Sequence, residues 1–271
     1  MIVVTGATGN VGQPLAAALS SAGVQFTMVS RNAPSVVPPG ARHVPADLAA
    51  LGPALRGADA LFLLVPPAGV DGAAVLASAR AAGVSRIVLL SSHAAGLRSS
   101  HAALLELEEL VKASGLAWTV LRPGGFASNA FAWAASIRAE RRAFAPFGDV
   151  ALPVVDPADI AAVAAAALLD DRHAGQTYVL TGPEPTTPRE RVRAIASALG
   201  APVAFVEQTA EQARAEMVRV MPASIADGTL GILGQPLPAE VAVSPDVSRV
   251  LGRPAAPFAA WAERNVMAFQ G

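Results

Sequence analysis

The stretch VVTGATGNVGQPL, residues 3–15, constrains the fold more than any other part of the chain. An apolar run ends at Gly6, and Gly9 and Gly12 follow at intervals of three before an alanine-rich segment of helical character. Each glycine answers a separate steric need. Gly6 permits a tight turn out of a strand, Gly9 lets backbone approach a pyrophosphate, and Gly12 lets a helix pack closely on a sheet. The helix then offers its free N–H groups and positive dipole end to phosphates. Glycine triplets also occur in turns that bind nothing. Here a strand before, a helix after and a second strand downstream supply the context of a dinucleotide site.

The first 124 residues keep that rhythm. MIVVTG is a continuous apolar run, as in a parallel strand buried on both faces. A helix over Val11 to Ala22 stops at Gly23. QFTMVSR, ARHVPAD, ALFLLVPP, RIVLLSS and AWTVLRPG then read as strands separated by helical stretches. This alternation predicts an α/β fold, a Rossmann-type doubly wound parallel sheet with right-handed crossovers. Residues 1–124 are expected to form the NAD(P)-binding core. Residues 125–271 are expected to mix sheet-extending elements with a smaller, interleaved C-terminal subdomain on the substrate side, so the boundary is soft. Within them PVVDPADIAAVAAAALLD reads as a strand-like entry into a helix, and QTYVLTG and PVAFVEQ as strands.

Composition excludes several function classes. With 53% hydrophobic and 15% charged residues, the chain is that of a globular protein with a large core. A formal net charge of −1 gives no electrostatic case for nucleic acid or an anionic membrane. Cysteine is absent, which removes disulfides and thiolate chemistry, and four scattered histidines suggest no metal site. No basic segment precedes the first apolar run, so no signal peptide is expected. The most apolar stretches are too short to span a bilayer. A cytoplasmic protein is the expectation.

The end of the second strand discriminates between nicotinamide cofactors. An acid there would bind the ribose 2′-hydroxyl of NAD, whereas an arginine accommodates the 2′-phosphate of NADP. This chain has Ser30, Arg31 and Asn32, with no acid nearby. A guanidinium offers forked donors to a phosphate dianion, so NADP(H) is expected over NAD(H). The alternative is a solvated arginine just past a strand. Asp47, after the third strand, is placed either to accept from the adenine amino group or to cap the next helix.

Five motifs together resemble the NmrA-like family, an atypical branch of the short-chain dehydrogenase/reductase superfamily that includes NADPH-dependent quinone oxidoreductases. They are TGATGNVG, the SR closing strand two, the LLSS closing strand five, TVLRPGGF with Asn129, and LGRPAAPFAAWAERN. The resemblance covers essentially the whole chain. It implies a cofactor lined by Thr5, Gly6, Thr8, Gly9, Asn10, Val11, Gly12, Arg31, Asp47, Val65, Pro66, Ser91 and Pro123. One departure stands out. Superfamily members that reduce ketones carry a Tyr-x-x-x-Lys pair after strand five, with the tyrosine as proton donor. Here the single tyrosine is Tyr178, and the corresponding helix carries His101, Leu105 and Lys112.

Three readings follow. The first is an NADPH-dependent oxidoreductase passing hydride to a quinone or related conjugated aromatic carbonyl, whose product charge is delocalised and needs no strong built-in acid. His101 is then a candidate proton or hydrogen-bond donor, because histidine titrates near neutral pH; it is equally placed to cap a helix. The second is a non-catalytic NADP(H)-binding redox sensor acting through a protein partner, as NmrA regulators do. The third is a tailoring enzyme of a specialised, aromatic polyketide-like pathway. A homodimer is compatible with each. His93 stands at the carboxyl end of a central strand, where ligands bind in such sheets. Phe126, Phe131, Trp133, Phe144 and Phe147 either wall an apolar pocket for an aromatic or quinonoid substrate or fill a core. Asp156 and Asp159 look like paired carboxylates, but a turn before proline and a helix cap account for them as well.

Overall fold

The computed structural model describes residues 1–65 and 70–271. Strand β1 (Ile2–Thr5) leads into α1 (Gly12–Ser21), β2 (Phe26–Ser30) and β3 (Ala41–Pro45). A short α2 (Gly52–Leu55) precedes β4 (Ala60–Leu64), α3 (Gly72–Ala81), β5 (Arg86–Leu90), α4 (Ala102–Lys112) and β6 (Ala117–Pro123). Next come α5 (Ala134–Glu140), β7 (Arg142–Ala145), α6 (Pro157–Leu169), β8 (Gln176–Leu180), α7 (Pro188–Leu199) and β9 (Ala204–Glu207). The chain continues through α8 (Ala210–Met217), α9 (Ala223–Gly234), α10 (Pro238–Val241), α11 (Asp246–Leu251) and α12 (Phe258–Arg264).

These elements form two units. The first comprises Met1–Pro123, Pro157–Leu180 and Asp246–Arg253. It holds a seven-stranded sheet in the order β3-β2-β1-β4-β5-β6-β8, with every pairing parallel. Strand order reverses on either side of β1, so this is a doubly wound Rossmann-type fold with its switch point between β1 and β4. Helices on both faces demand strands that are apolar on both faces, and ALFLL and RIVLL meet that demand. On one face Val3, Leu61, Leu63, Ile87, Leu89 and Val120 pack with Leu55, Leu76, Ala79, Leu107 and Val111. The other is covered by α1 and α6, and the alanines of α6 let it lie close to both α1 and the strands. The edge strand β8 is supplied by a segment more than 50 residues beyond β6.

The second unit comprises Gly124–Asp156, Thr181–Pro245 and Pro254–Gly271. Its core joins Ile137, Val154, Val192, Ile195, Phe258, Trp261 and Phe269, and β7 pairs in parallel with β9. Helix α7 begins with a capping box between Thr187 and Glu190, has Pro188 at its first turn, and ends at Gly200 with φ +63°. The PVVD segment is not part of a named strand; isolated bridges join Leu152, just before it, to Thr186 and Val155 to Phe126. Asp156 and Asp159 each have their own cation. Asp156 pairs with Arg264, while Asp159 lies inside the first turn of α6 and meets Arg253 Nη2 at 2.7 Å. No helix among the described residues is long and apolar enough to cross a membrane.

Candidate dinucleotide site

The glycine loop is built by close packing of backbone. Gly6 has φ +62°, a conformation costly for any residue with a Cβ. A Cβ on Gly12 would stand 2.2 Å from Gly6 O and 2.6 Å from the Ala7 Cα, so only glycine lets α1 start this close to the turn. The loop closes on itself through Gly9 N–H to Gly6 O at 3.0 Å and Gln13 Nε2 to Thr8 O at 2.8 Å. Val11 is buried beneath it, Thr8 is half-buried, and Gly9 and Asn10 are exposed at its crest. A Cβ on Gly9 would come within 3.2 Å of Gly6 O, so the glycine leaves bare backbone exposed at the crest of the loop, as close approach of a phosphate requires. The residues present therefore fit a pyrophosphate.

The Thr5 hydroxyl joins β1 to β4. The β1–β4 ladder ends at the pair Val4 and Phe62. Beyond it the buried Thr5 hydroxyl donates to Phe62 O at 3.0 Å and accepts from Leu64 N–H at 2.9 Å. A side chain thus continues the pairing where the strands part at the switch point.

At the end of β2 the Ser30 hydroxyl donates to Asn32 O at 2.7 Å and lies 3.0 Å from His43 Nε2 on β3. Its single proton is committed to the carbonyl, so His43 Nε2 carries the proton between them. Ser30 shapes the turn, and the turn presents Arg31. That guanidinium is exposed and forms no hydrogen bond or ion pair among the described residues. A cavity of about 320 Å³ opens nearby, lined by Thr8, Gln13, Ala17, Met28, Pro34 and Val36 among others. Asp47 is exposed, and its Oδ1 accepts from Ala49 N–H at 2.9 Å and Ala50 N–H at 3.2 Å, capping a single 3-10 turn.

Ser91, His93 and Pro123 come together at the carboxyl ends of β5 and β6. Ser91 N–H donates to Leu121 O and His93 N–H to Pro123 O, both at 2.8 Å. Val65 follows β4 half-buried, and Pro66 lies outside the described residues. The Ser91 hydroxyl donates to Glu108 Oε1 at 2.5 Å. Glu108, on α4, is fully buried and also takes Arg122 Nε at 3.0 Å and Arg122 Nη2 at 2.6 Å. Sequence reasoning missed this carboxylate. The available signal was its place among Leu104, Leu107 and Val111 on the inward stripe of α4, where a charge is out of pattern.

His101 sits where a 3-10 turn joins α4, half-buried, with Nδ1 3.1 Å from Ser100 Oγ. Tyr178 lies on β8, with its hydroxyl 2.8 Å from His173 Nδ1. Burial, and secondarily the Asp246 carboxylate, push its phenol above the usual value. The five aromatic candidates belong to the second unit and fall into separate contacts. The Phe131 ring lies 5.0 Å from Trp261 and 6.1 Å from Phe269, and Trp133 packs on the same cluster. Phe144 is half-buried in β7, Phe126 bridges to Val155, and the Phe147 ring leaves room for only hydrogen at Gly234.

The profile of a family described as NAD(P)H-binding matches residues 6–171. Over 99% of both chains, the sequence is 38% identical to (4-alkanoyl-5-oxo-2,5-dihydrofuran-3-yl)methyl phosphate reductase of Streptomyces griseus subsp. griseus. It is 35% identical, again over 99% of both, to an NAD(P)H azoreductase of Xenophilus azovorans. The structure of an NADPH-dependent quinone oxidoreductase from Escherichia coli complexed with NADPH superposes with a TM-score of 0.76. That pair is 25% identical, covering 97% of this chain and 99% of the other.

Proposed function

The chain belongs to the NAD(P)H-binding family and is similar along its length to two reductases, and from that premise we propose that it is an NADPH-dependent reductase of electron-poor conjugated acceptors such as quinones. The observation that carries the cofactor preference is the open Arg31 guanidinium, held out by the Ser30 turn with no acid beside it. Its forked donors suit a 2′-phosphate. The amides between Gly6 and Gly12 and the first turn of α1 would hold the pyrophosphate. Ser91 and Pro123 would line the reacting end, at the carboxyl ends of the strands. When bound, NADPH supplies a hydride at its nicotinamide ring.

The helix after β5 has no tyrosine to protonate a developing alkoxide, and Lys112 is engaged by Glu109 at 2.8 Å. An acceptor that spreads its new charge over a conjugated system has little need of such an acid. Protonation then falls to His101 or to water. A second reading is favoured by the 38% identity to the furanone phosphate reductase. In the lactone named for that protein, hydride added to the ring double bond leaves an enolate spread over two carbonyls. The demand on the protein is equally small.

The test is NADPH consumption by purified protein across quinones, alkanoyl-substituted unsaturated lactone phosphates and azo dyes. Turnover confined to one class identifies the acceptor. Tight NADPH binding with no turnover in any class would overturn the reductase reading in favour of a cofactor-sensing regulator.

A further inference from the structure

We infer that Glu108 is a positioning residue: it fixes the Ser91 hydroxyl as a hydrogen-bond acceptor for the carboxamide N–H of a bound nicotinamide. The inference rests on the cofactor reading above and follows from counting protons.

A serine hydroxyl has one proton and two lone-pair directions. Ser91 gives its proton to Glu108 Oε1 at 2.5 Å. The direction of that bond is set by what surrounds the carboxylate. Glu108 has no solvent exposure, and Arg122 binds it through Nε and Nη2, at 3.0 and 2.6 Å. The Lys112 ammonium stands 3.7 Å from Oε2. Both oxygens of Glu108 accept from the Arg122 guanidinium, and Oε1 accepts from the Ser91 hydroxyl as well. The proton therefore lies on Ser91 and points at Glu108. Turning it away would give up a charge-assisted bond of short length at a fully buried carboxylate.

The rest of Ser91 is equally fixed. Its N–H is tied to Leu121 O at 2.8 Å, and the residue is only 8% exposed, directly after β5. Ser91 and Arg122, from the end of β5 and from β6, converge on the one carboxylate of Glu108 on α4. A merely cohesive contact between α4 and the sheet is cheaper to make from apolar side chains, since burying an ion pair carries a desolvation cost. What the pair adds is a defined direction for the Ser91 proton.

The consequence is a chemical selection at the carboxyl end of β5. Ser91 offers lone pairs there and no proton. A substrate carbonyl, which needs a donor, gains nothing from it. At the reacting end of a nicotinamide nucleotide the group that does donate is the carboxamide N–H. Ser91 thus orients the nicotinamide and does not activate the acceptor.

The experiment compares dissociation constants for NADP+ and its acetylpyridine analogue, in which a methyl ketone replaces the carboxamide and removes the N–H donor. The wild-type protein should favour NADP+ by roughly fivefold, the scale of one net hydrogen bond. Ser91→Ala and Glu108→Gln should each bring that ratio close to one. A structural role for Glu108 would lower Tm and shift both constants together, leaving the ratio as in wild type, and that result overturns the inference. So does a Ser91→Ala protein that keeps the preference; this variant leaves the Glu108–Arg122 pair intact and decides the matter even where Glu108→Gln fails to fold. A folded Glu108→Gln protein that keeps the ratio while Ser91→Ala loses it removes Glu108 from the account. A wild-type protein that binds neither nucleotide overturns the cofactor reading itself, and this inference with it.

Discussion

The glycine loop and the carboxyl end of β5 lie in the same unit and are built by opposite means. The loop is made of backbone: Gly6 and Gly12 approach so closely that an added Cβ would sit 2.2 Å from a carbonyl oxygen. The β5 end is made of side chains, with Ser91, Glu108 and Arg122 converging from three elements onto a buried charge. Backbone crowding is specific but indifferent to protonation. It can hold a phosphate and cannot direct a proton. The side-chain cluster can direct a proton, at the cost of burying charge. Binding and orientation of one ligand are thereby assigned to two kinds of physics, and substitutions should affect them differently.

The largest effect is expected at the loop. Gly12→Ala forces backbone to move in a buried turn, and overpacking of this kind costs about 3 kcal/mol. Thermal unfolding should show a large drop in Tm, and the folded fraction should have lost affinity for NADPH and NADH alike. A variant with wild-type Tm and affinity would show that the close approach at Gly12 is dispensable.

Next comes Glu108→Ala. Removing one partner of a fully buried pair leaves the other charge uncompensated, typically at 3–5 kcal/mol. Arg122 keeps 23% of its side chain exposed and can draw in water, so about 2–3 kcal/mol is the expected loss in urea titration. Replacing both, as Glu108→Leu with Arg122→Leu, should recover most of it. If the double variant is no more stable than the single, the cost lies in the vacated volume and not in the stranded charge.

Arg31→Ala is smaller and purely a matter of binding. The exposed guanidinium forms no hydrogen bond or ion pair among the described residues, so Tm should hold. Loss of a charged hydrogen bond to phosphate, at about 1.5–3 kcal/mol, corresponds to roughly 10- to 100-fold weaker NADPH binding. NADH binding should change little. Equal losses for both would remove the argument for the 2′-phosphate.

How much of this was legible in the sequence follows the same division. Backbone requirements leave marks in one place: the glycines at 6, 9 and 12 are adjacent in sequence because they are adjacent in space. The buried parallel strands were readable for a similar reason, since being covered on both faces forces continuous apolar runs. Strand β8 was recognisable as a strand, but not its place beside β6, because pairing across more than 50 residues leaves no local trace. The Glu108 cluster was hidden for that reason and one more. ELEELVK reads as a solvated helix face, and Glu106 and Glu109 are indeed exposed. Only the helical register separates Glu108 from them. The partners Ser91 and Arg122, 17 and 14 residues away, cannot be assigned until the strands are placed. Nor does the sequence show that the Thr5 hydroxyl is bonded to Phe62 and Leu64, and that of Ser30 to Asn32. Motif spacing locates a residue; it does not say where its proton goes.

The smallest effect discriminates the two tasks open to Asp47. Its Oδ1 takes both Ala49 and Ala50 N–H groups, which is the capping task. Its second oxygen remains for an adenine amino group. Asp47→Ala removes both and should cost about 1 kcal/mol of stability together with a few-fold loss of affinity, shared equally by NADPH and NADH. Asp47→Asn separates them. The amide oxygen still caps the turn, whereas the amide nitrogen now meets the adenine amino group donor to donor. Stability should therefore stay within a few tenths of a kcal/mol of wild type while affinity falls about threefold. If Asp47→Asn binds both nucleotides as wild type does, Asp47 belongs to the fold alone.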